Sequence, residues 1–217
     1  MIVIIQCADK KKPGAGFMQR KDGRKISFVA DPVLAPTTTD RAYAHPDDIS
    51  DSGKSWRDEL LSYNESPADN PLELLPAWQL YKNRTYGMLV EKYGVEHVYI
   101  LSAGWGLISA EFLTPVYDIT FSTKAEKYKR RRKRDQYSDL RMLPRDADEP
   151  IVFFVSKEYV ALASKLTERI EGTRYLFYNS SIIPDAPGCR LERYVTRTRT
   201  NWQYGCAKAF MDGEIGV

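Results

Sequence analysis

The chain has 217 residues, of which 43% are hydrophobic and 12% aromatic, and this is enough for one substantial hydrophobic core. A net charge of +3 and a pI near 8.6 are only mildly basic, so the total charge does not identify a partner. Three cysteines without C-x-x-C spacing argue against a disulfide framework or a structural zinc site. No segment approaches the roughly 20 apolar residues of a membrane span.

The first predicted element is a strand. IVIIQC at 2–7 is a β-branched, almost continuous apolar run, which is typical of a strand buried on both faces. Lysines follow this short run, whereas a signal peptide places its positive charge before a longer apolar region. Together with the cysteine pattern, this favours a cytoplasmic protein.

Residues 10–71 do not fit a regular alternation of strand and helix. KKKPGAG, APTTTD and HPDDISDSGKS are rich in Gly, Pro, Ser and Asp and are typical of turns or mobile loop. Within this segment RKISFVADP predicts an extra edge strand, and SWRDELLSYN predicts a short helix capped by Ser55. We interpret 10–71 as a loop-rich insertion over the edge or mouth of the sheet.

The rest of the chain alternates between helix and strand patterns. Helices are predicted at 75–94, ending at Gly94, and at 156–172, with Ser156 as the N-cap and Gly172 just beyond the end. Strands are predicted at 97–103, 150–156 and 173–179. This order predicts a single α/β domain with a mostly parallel central sheet flanked by helices.

The carboxyl ends of parallel strands are where α/β proteins bind their ligands. The predicted strands place four loops there, which begin at Gln6, Ser102, Ser156 and Asn179. The second loop, SAGWGL, contains Gly104 and Gly106, which permit a tight turn and a close approach of backbone to ligand. The chain then returns an acidic residue, Asp118, between Tyr117 and Ile119.

ILSAGWGLISAEFLTPVYDITF at 100–121 resembles the YaaA-like family and its short uncharacterised relatives. In these proteins a strand ends in Leu-Ser-(Ala/Gly), a Tyr-Gly-Leu-like step follows, and a Pro-Tyr-Asp or Pro-Tyr-Arg element comes about ten residues later. The family's Cys and Lys pair is matched by Cys7 and 10–12, and its Ala-x-x-Leu-Tyr helix by 77–81. Trp105 and Val116 depart from the pattern.

The resemblance implies DNA as the partner, and a weaker similarity to Brig-type anti-phage DNA glycosylases implies removal of modified bases from phage genomes. Cleavage of an N-glycosidic bond passes through a sugar with oxocarbenium character, which a nearby carboxylate stabilises. Asp118 is our candidate for this catalytic carboxylate. A flipped base also needs stacking and hydrogen-bonding partners. The candidates are Gln6, Ser102, Gly104, Trp105, Tyr117 and Asn179.

The segment 124–141, which we predict to be helical, contains a strongly basic run, KYKRRRKR at 127–134. Like charges at this density repel one another unless a polyanion such as DNA offsets them. The candidate phosphate contacts are Lys10, Lys127, Lys129, Arg130, Arg131, Arg132, Lys133, Arg134, Arg197 and Arg199. The proposed hydrolysis needs no cofactor. We expect no metal, because His45 and His97 are too few and too far apart.

Other interpretations remain open at this point. The chain is a monofunctional glycosylase acting on double-stranded DNA in anti-phage defence, a non-catalytic YaaA-like DNA-binding stress protein, or an N-glycosidase acting on free nucleosides or nucleotides. Asp118 is equally typical of a turn, Asn179 of a helix cap, and the basic run of a solvated face or a surface for an acidic partner. No obligate protein partner is evident.

Overall fold

A seven-stranded sheet runs through the computed structural model, which describes residues 1–66, 70–196 and 200–217. The chain contributes the following strands: β1 Ile2–Gln6, β2 Lys25–Phe28, β3 Arg41–Ala44, β4 Leu75–Pro76, β5 Val98–Ser102, β6 Gly106–Ser109, β7 Leu113–Thr114, β8 Leu140–Arg141, β9 Ile151–Phe154, β10 Arg174–Tyr178 and β11 Cys189–Arg193. The order in the main sheet is β11-β10-β9-β1-β5-β6-β8. Neighbours from β11 to β5 are parallel, β6 is antiparallel to β5, and β8 is parallel to β6. The predicted α/β class and mostly parallel sheet are confirmed.

The helices are α1 Trp56–Glu65, α2 Ala77–Leu80, α3 Thr85–Tyr93, α4 Val160–Thr167 and α5 Trp202–Met211. Helix α3 packs against α5 and β1, and α5 also packs against β9. The connections from β1 to β5 and from β9 to β10 run in opposite directions along the sheet. Because connections between parallel strands are almost always right-handed, α3 and α4 are expected on opposite faces. In the described parts of the chain, no helix is long and apolar enough to cross a membrane.

The centre of the sheet is apolar on both faces, as its sequence predicts. Val3, Ile4 and Ile5 of β1 have no exposed surface, and neither do Ile100 and Leu101 of β5. Burial of one such side chain stabilises the fold by about 1.5–3 kcal/mol. The strand therefore holds the loop after Gln6 at a fixed position on the carboxyl edge of the sheet.

Residues 10–66 contain more regular secondary structure than we predicted for turns or a mobile loop. Strands β2 and β3 form a separate two-stranded parallel sheet, so β2 is not an edge strand of the main sheet. Helix α1 begins where predicted, because the Ser55 hydroxyl accepts a hydrogen bond from the Asp58 N–H. Phe28, Trp56 and Leu60 are buried in the common core, and this burial orders the segment.

The single helix predicted at 75–94 is wrong. The chain forms β4 and α2, becomes extended at Tyr81, and starts α3 only at Thr85. The Lys12 N–H donates to the Leu80 carbonyl at 2.8 Å, and the Lys82 N–H donates to the Lys10 carbonyl at 3.1 Å. Pairing with the loop after β1 thus outweighs helical continuity.

Two other predicted helices also differ from the structure. Helix α4 starts at Val160 rather than at 156, and the Tyr159 N–H donates to the Ser156 carbonyl at 2.9 Å, so 156–159 forms a turn before the helix. The segment 124–141 is not helical apart from a 3-10 turn at Lys127–Lys129, and it ends in β8. Its backbone instead pairs with 120, through hydrogen bonds between Thr120 and both Lys129 and Arg131.

Candidate functional site at the switch point of the sheet

Strand β1 lies where the strand order reverses, with β5 on one side and β9 on the other. Ligands of open α/β sheets bind outside the carboxyl ends of strands at such a switch point. Here the ends of β1 and β9 are linked by two contacts. The Gln6 Oε1 accepts a hydrogen bond from the Ser156 N–H at 2.5 Å, and the Cys7 Sγ lies 3.2 Å from the Tyr159 Oη.

Buried hydroxyl groups lie near this edge, on Tyr81, Tyr86, Tyr117 and Ser102, and we call them the tyrosine cluster. The Tyr117 Oη is 2.8 Å from the Tyr81 Oη and accepts a hydrogen bond from the Ser102 Oγ at 2.8 Å. The Tyr86 hydroxyl donates to the Gln6 carbonyl at 2.7 Å. Burial raises the pKa of Tyr81, Tyr86 and Tyr117 well above the usual value, and an electrostatic interaction with Cys7 acts in the same direction on all three. These phenols therefore stay neutral and serve as hydrogen-bonding partners.

Three predicted substrate-binding residues of the SAGWGL loop are built into the core. The Ser102 Oγ accepts hydrogen bonds from the N–H groups of Gly104 and Trp105 at 3.2 and 3.1 Å, which closes the turn. Ser102 and Trp105 have no exposed surface. A Cβ on Gly104 would lie 3.1 Å from the Tyr117 ring, so glycine is needed for packing.

Trp105 was predicted to stack on a base, and the structure corrects this. Its ring packs edge-on against Phe28 at 5.0 Å between centroids, and the guanidinium of Arg57 lies 5.4 Å from it. Arg57 also donates to the carbonyls of Gly104 and Trp105 and pairs with Asp47 at 2.6 Å. Tyr117 is likewise 1% exposed and offers no ring face to solvent.

Gln6 and Asn179 are at the predicted strand ends, but their side chains hold neighbouring chain segments. The Gln6 Oε1 accepts the hydrogen bond from the Ser156 N–H and is therefore occupied. The Asn179 Nδ2 donates to the Tyr194 carbonyl at 2.7 Å and to the Thr196 Oγ1 at 3.1 Å, so it fixes the segment after β11. Asn179 is therefore neither a helix cap nor a group directed at a ligand in this conformation.

Asp118 lies at the rim of the tyrosine cluster, where the Asp118 N–H donates to the Phe28 carbonyl at 2.8 Å. Its side chain is 39% exposed and pairs with the Lys129 Nζ at 2.7 Å. Lys129 also pairs with Glu126 at 2.6 Å. Burial opposes the charge of Lys129, but its hydrogen bonds to Asp118 and Glu126 dominate and raise the pKa of Lys129. Asp118 is thus a solvent-accessible carboxylate beside a permanent cation.

The seven cations of the basic run have two different environments. Arg131 is buried, with side-chain exposure of 3%, and makes two hydrogen bonds to Asp139 at 2.8 and 2.6 Å and one to the Ala103 carbonyl. Arg132 pairs with Asp135 at 3.1 Å. Lys129 pairs with Asp118 and Glu126. Within the described residues no ion pair is found for the other four, which are Lys127, Arg130, Lys133 and Arg134.

A groove of 510 Å³ lies along this run, next to the bridge between Thr120 and Arg130. We call it the basic groove. Five of its lining residues are cationic and three are acidic: Lys127, Arg130, Arg131, Arg132 and Lys133, with Asp31, Asp135 and Glu158. Phe121 gives it an apolar wall and packs against Tyr159 at 4.9 Å, which connects the groove to the switch point.

Other predicted phosphate contacts lie elsewhere. Lys10 is exposed in the loop after β1, whereas Arg197 and Arg199 lie outside the described residues. The described residues include no group of three or more His, Cys, Asp and Glu side chains arranged as metal ligands. The three cysteines, Cys7, Cys189 and Cys206, are free.

Sequence reasoning missed several members of the site, above all Lys11, Tyr81 and Tyr159. Their positions follow from pairing between distant segments, and the one local signal was the change from apolar strand to three lysines after Cys7. No family model, no curated protein and no solved structure matches this chain.

Proposed function

We propose that this protein is a cytoplasmic DNA glycosylase that hydrolyses the N-glycosidic bond of a flipped, modified base, with Asp118 as its catalytic carboxylate. The observation that carries the proposal is the 39% exposed Asp118 side chain, which follows the buried Tyr117 and has the Lys129 Nζ 2.7 Å away. As the bond to the base breaks, positive charge develops at the sugar C1′ atom. The carboxylate stabilises this charge and orients the attacking water.

The basic groove supports DNA as the substrate. Lys127, Arg130 and Lys133 line it and are not engaged in described ion pairs. Lys127 lies in the 3-10 turn, Arg130 in the bridge to Thr120 and Lys133 in the next turn, all along one groove. Cations arranged in this way suit contacts to phosphates, which would position the duplex and leave recognition of the base to the site itself. Phe121, on the apolar wall of the groove, is the aromatic residue placed to contact an extruded base.

The test is a search for abasic sites in DNA with different base modifications. Wild-type protein and Asp118→Asn are incubated with unmodified DNA and with phage DNAs whose bases carry modifications, and alkali-labile strand breaks are counted. Asp185→Asn, which changes an exposed carboxylate of the 179–188 loop, is the matched control. The proposal predicts breaks in at least one modified DNA with wild-type protein and Asp185→Asn, and few with Asp118→Asn. Absence of breaks in every DNA that the wild-type protein binds would refute it.

A second candidate is a DNA-binding protein without catalysis. It is favoured by the internal hydrogen bonds of Gln6, Ser102 and Asn179, which leave these side chains occupied. In that case DNA binding would be equally tight in wild-type protein and Asp118→Asn, and no abasic sites would form in either. A nucleoside N-glycosidase is less well supported, because a single nucleoside has no phosphate backbone to contact the cations of the basic groove that lack a described ion pair.

A further inference from the structure

Lys11 differs from the two lysines beside it in the direction of its side chain. The loop after β1 pairs with Tyr81 in an antiparallel bridge at Lys11, flanked by hydrogen bonds at Lys10 and Lys12. Successive residues of an extended segment point to opposite sides. Lys10 and Lys12 are accordingly exposed, whereas Lys11 is partly buried and directed toward the tyrosine cluster.

The Lys11 amine reaches the switch point without a partner of opposite charge. Its Nζ lies 4.6 Å from the centre of the Tyr117 ring. Asp118, the next residue in the chain, is paired with Lys129 instead. Within the part of the chain that the structure describes, Lys11 has neither a salt bridge nor a side-chain hydrogen bond of its own.

Burial acts on this amine more strongly than the charges around it. Desolvation lowers the pKa of Lys11 below its usual value, and the positive charge of Lys129 lowers it further. Electrostatic interactions with Cys7, Asp118 and Asp9 oppose this change and raise the pKa of Lys11. A larger share of the amine is therefore neutral than for an exposed lysine, and a neutral amine is the form that attacks carbonyl carbon.

We propose that Lys11 is a nucleophile that forms an imine with the aldehyde of an abasic deoxyribose, which gives the protein an abasic-site lyase activity. The choice of DNA as the source of the aldehyde rests on the proposed function, because base removal exposes such an aldehyde at C1′. The accessible Asp118 at the same rim is positioned to take up the proton that the subsequent elimination releases.

The chemistry balances with water as the only other reactant. The Lys11 Nζ adds to the aldehyde carbon and water leaves, which gives a protonated imine. Loss of a proton from C2′ forms the C2′–C3′ double bond, and the C3′–O bond breaks so that the phosphate departs with its bonding electrons. Water then hydrolyses the imine, which restores the amine and releases the unsaturated sugar aldehyde on its DNA end.

The experiment is reductive trapping on a duplex that contains a single abasic site. Wild-type protein, Lys11→Arg and the matched control Lys12→Arg, which changes an exposed lysine of the same loop, are incubated with this duplex and sodium cyanoborohydride. Covalent complexes are separated by denaturing electrophoresis, and the modified peptide is identified by mass spectrometry. We expect complexes with wild-type protein and Lys12→Arg, background levels with Lys11→Arg, and an adduct located on Lys11.

Equal trapping by Lys11→Arg, an adduct on a different lysine, or no adduct despite binding of the abasic duplex would each overturn the inference. Mapping the adduct on wild-type protein decides the question even if Lys11→Arg fails to fold. The substrate is already abasic, so trapping without base release would refute only the proposed glycosylase. Base release without trapping would refute only the role of Lys11.

Discussion

Replacement of Arg131 by methionine tests whether the basic run is a uniform phosphate-binding surface. Arg131 and Asp139 have side-chain exposures of 3% and 2%, so solvent does not screen their pair. The guanidinium also lies 3.7 Å from the centre of the Tyr137 ring and donates to the Ala103 carbonyl. Methionine would leave Asp139 buried, with Lys165 at 3.9 Å as its remaining described ion-pair partner.

Removal of one partner from a buried ion pair costs about 3–5 kcal/mol of folding stability. For a chain of this size, each kcal/mol lowers Tm by about 2–4 °C, so Arg131→Met should lower it by roughly 6–20 °C. Lys133→Met is the matched control, because this side chain is exposed in the same run and its loss should cost within about 0.5 kcal/mol.

The assay is thermal unfolding of the two variants by circular dichroism, combined with DNA binding at a temperature at which both are folded. We expect Arg131→Met to lower Tm strongly and Lys133→Met to weaken binding with little change in Tm. If Arg131→Met unfolds like Lys133→Met and weakens DNA binding to the same extent, Arg131 faces phosphate and our description of the run is incorrect.

Three further predictions concern the charges, the strand ends and the tyrosines. If the four cations without an ion pair contact phosphates, log affinity should fall with log salt at a slope of about −3.6. If all seven cations contacted phosphates, the slope would be about −6.3, and a salt titration of DNA binding distinguishes the two. Asn179→Ala should lower the free energy of unfolding by about 1–3 kcal/mol in urea denaturation, since the Tyr194 carbonyl loses its donor, and should leave DNA affinity unchanged. Burial raises the pKa of Tyr81, Tyr86, Tyr117 and Tyr159, so the unfolded chain releases their protons above about pH 10 while the native chain keeps them. The free energy of unfolding should therefore be unaffected by these tyrosines below that pH. Above it, each tyrosine should lower the free energy of unfolding by up to about 1.4 kcal/mol per pH unit. Tyrosinate absorbance from all four residues in the still folded protein would contradict this.

The central strands could be predicted because burial on both faces leaves a strong local signal. β1, β5, β9 and β10 each contain consecutive apolar residues, which is the pattern expected of strands in a parallel sheet that is covered on both faces. The break at 81–84 could not be predicted, because it depends on backbone pairing with 10–12. Helical periodicity over 75–94 carries no information about that pairing.

The candidate site was predictable in position but not in composition. The strand ends at Gln6 and Ser102 lie on the expected edge, yet their side chains satisfy buried N–H groups. Whether a serine faces a ligand or a turn depends on how the next residues fold back. Similarly, Arg131 looks identical to its neighbours in sequence and differs only because Asp139 and Tyr137 surround it. Lys11 becomes a candidate nucleophile only once Tyr117 is placed beneath it.

The most direct test of the account is the single-turnover rate of base release by wild-type protein and Asp118→Asn. The substrate is the modified DNA that the abasic-site screen identifies, and the released base is quantified by mass spectrometry. Loss of the carboxylate should slow release by about 100-fold or more while DNA affinity stays the same. Equal rates in the two proteins would contradict the assignment of Asp118, and with it the claim that this edge of the sheet is an active site.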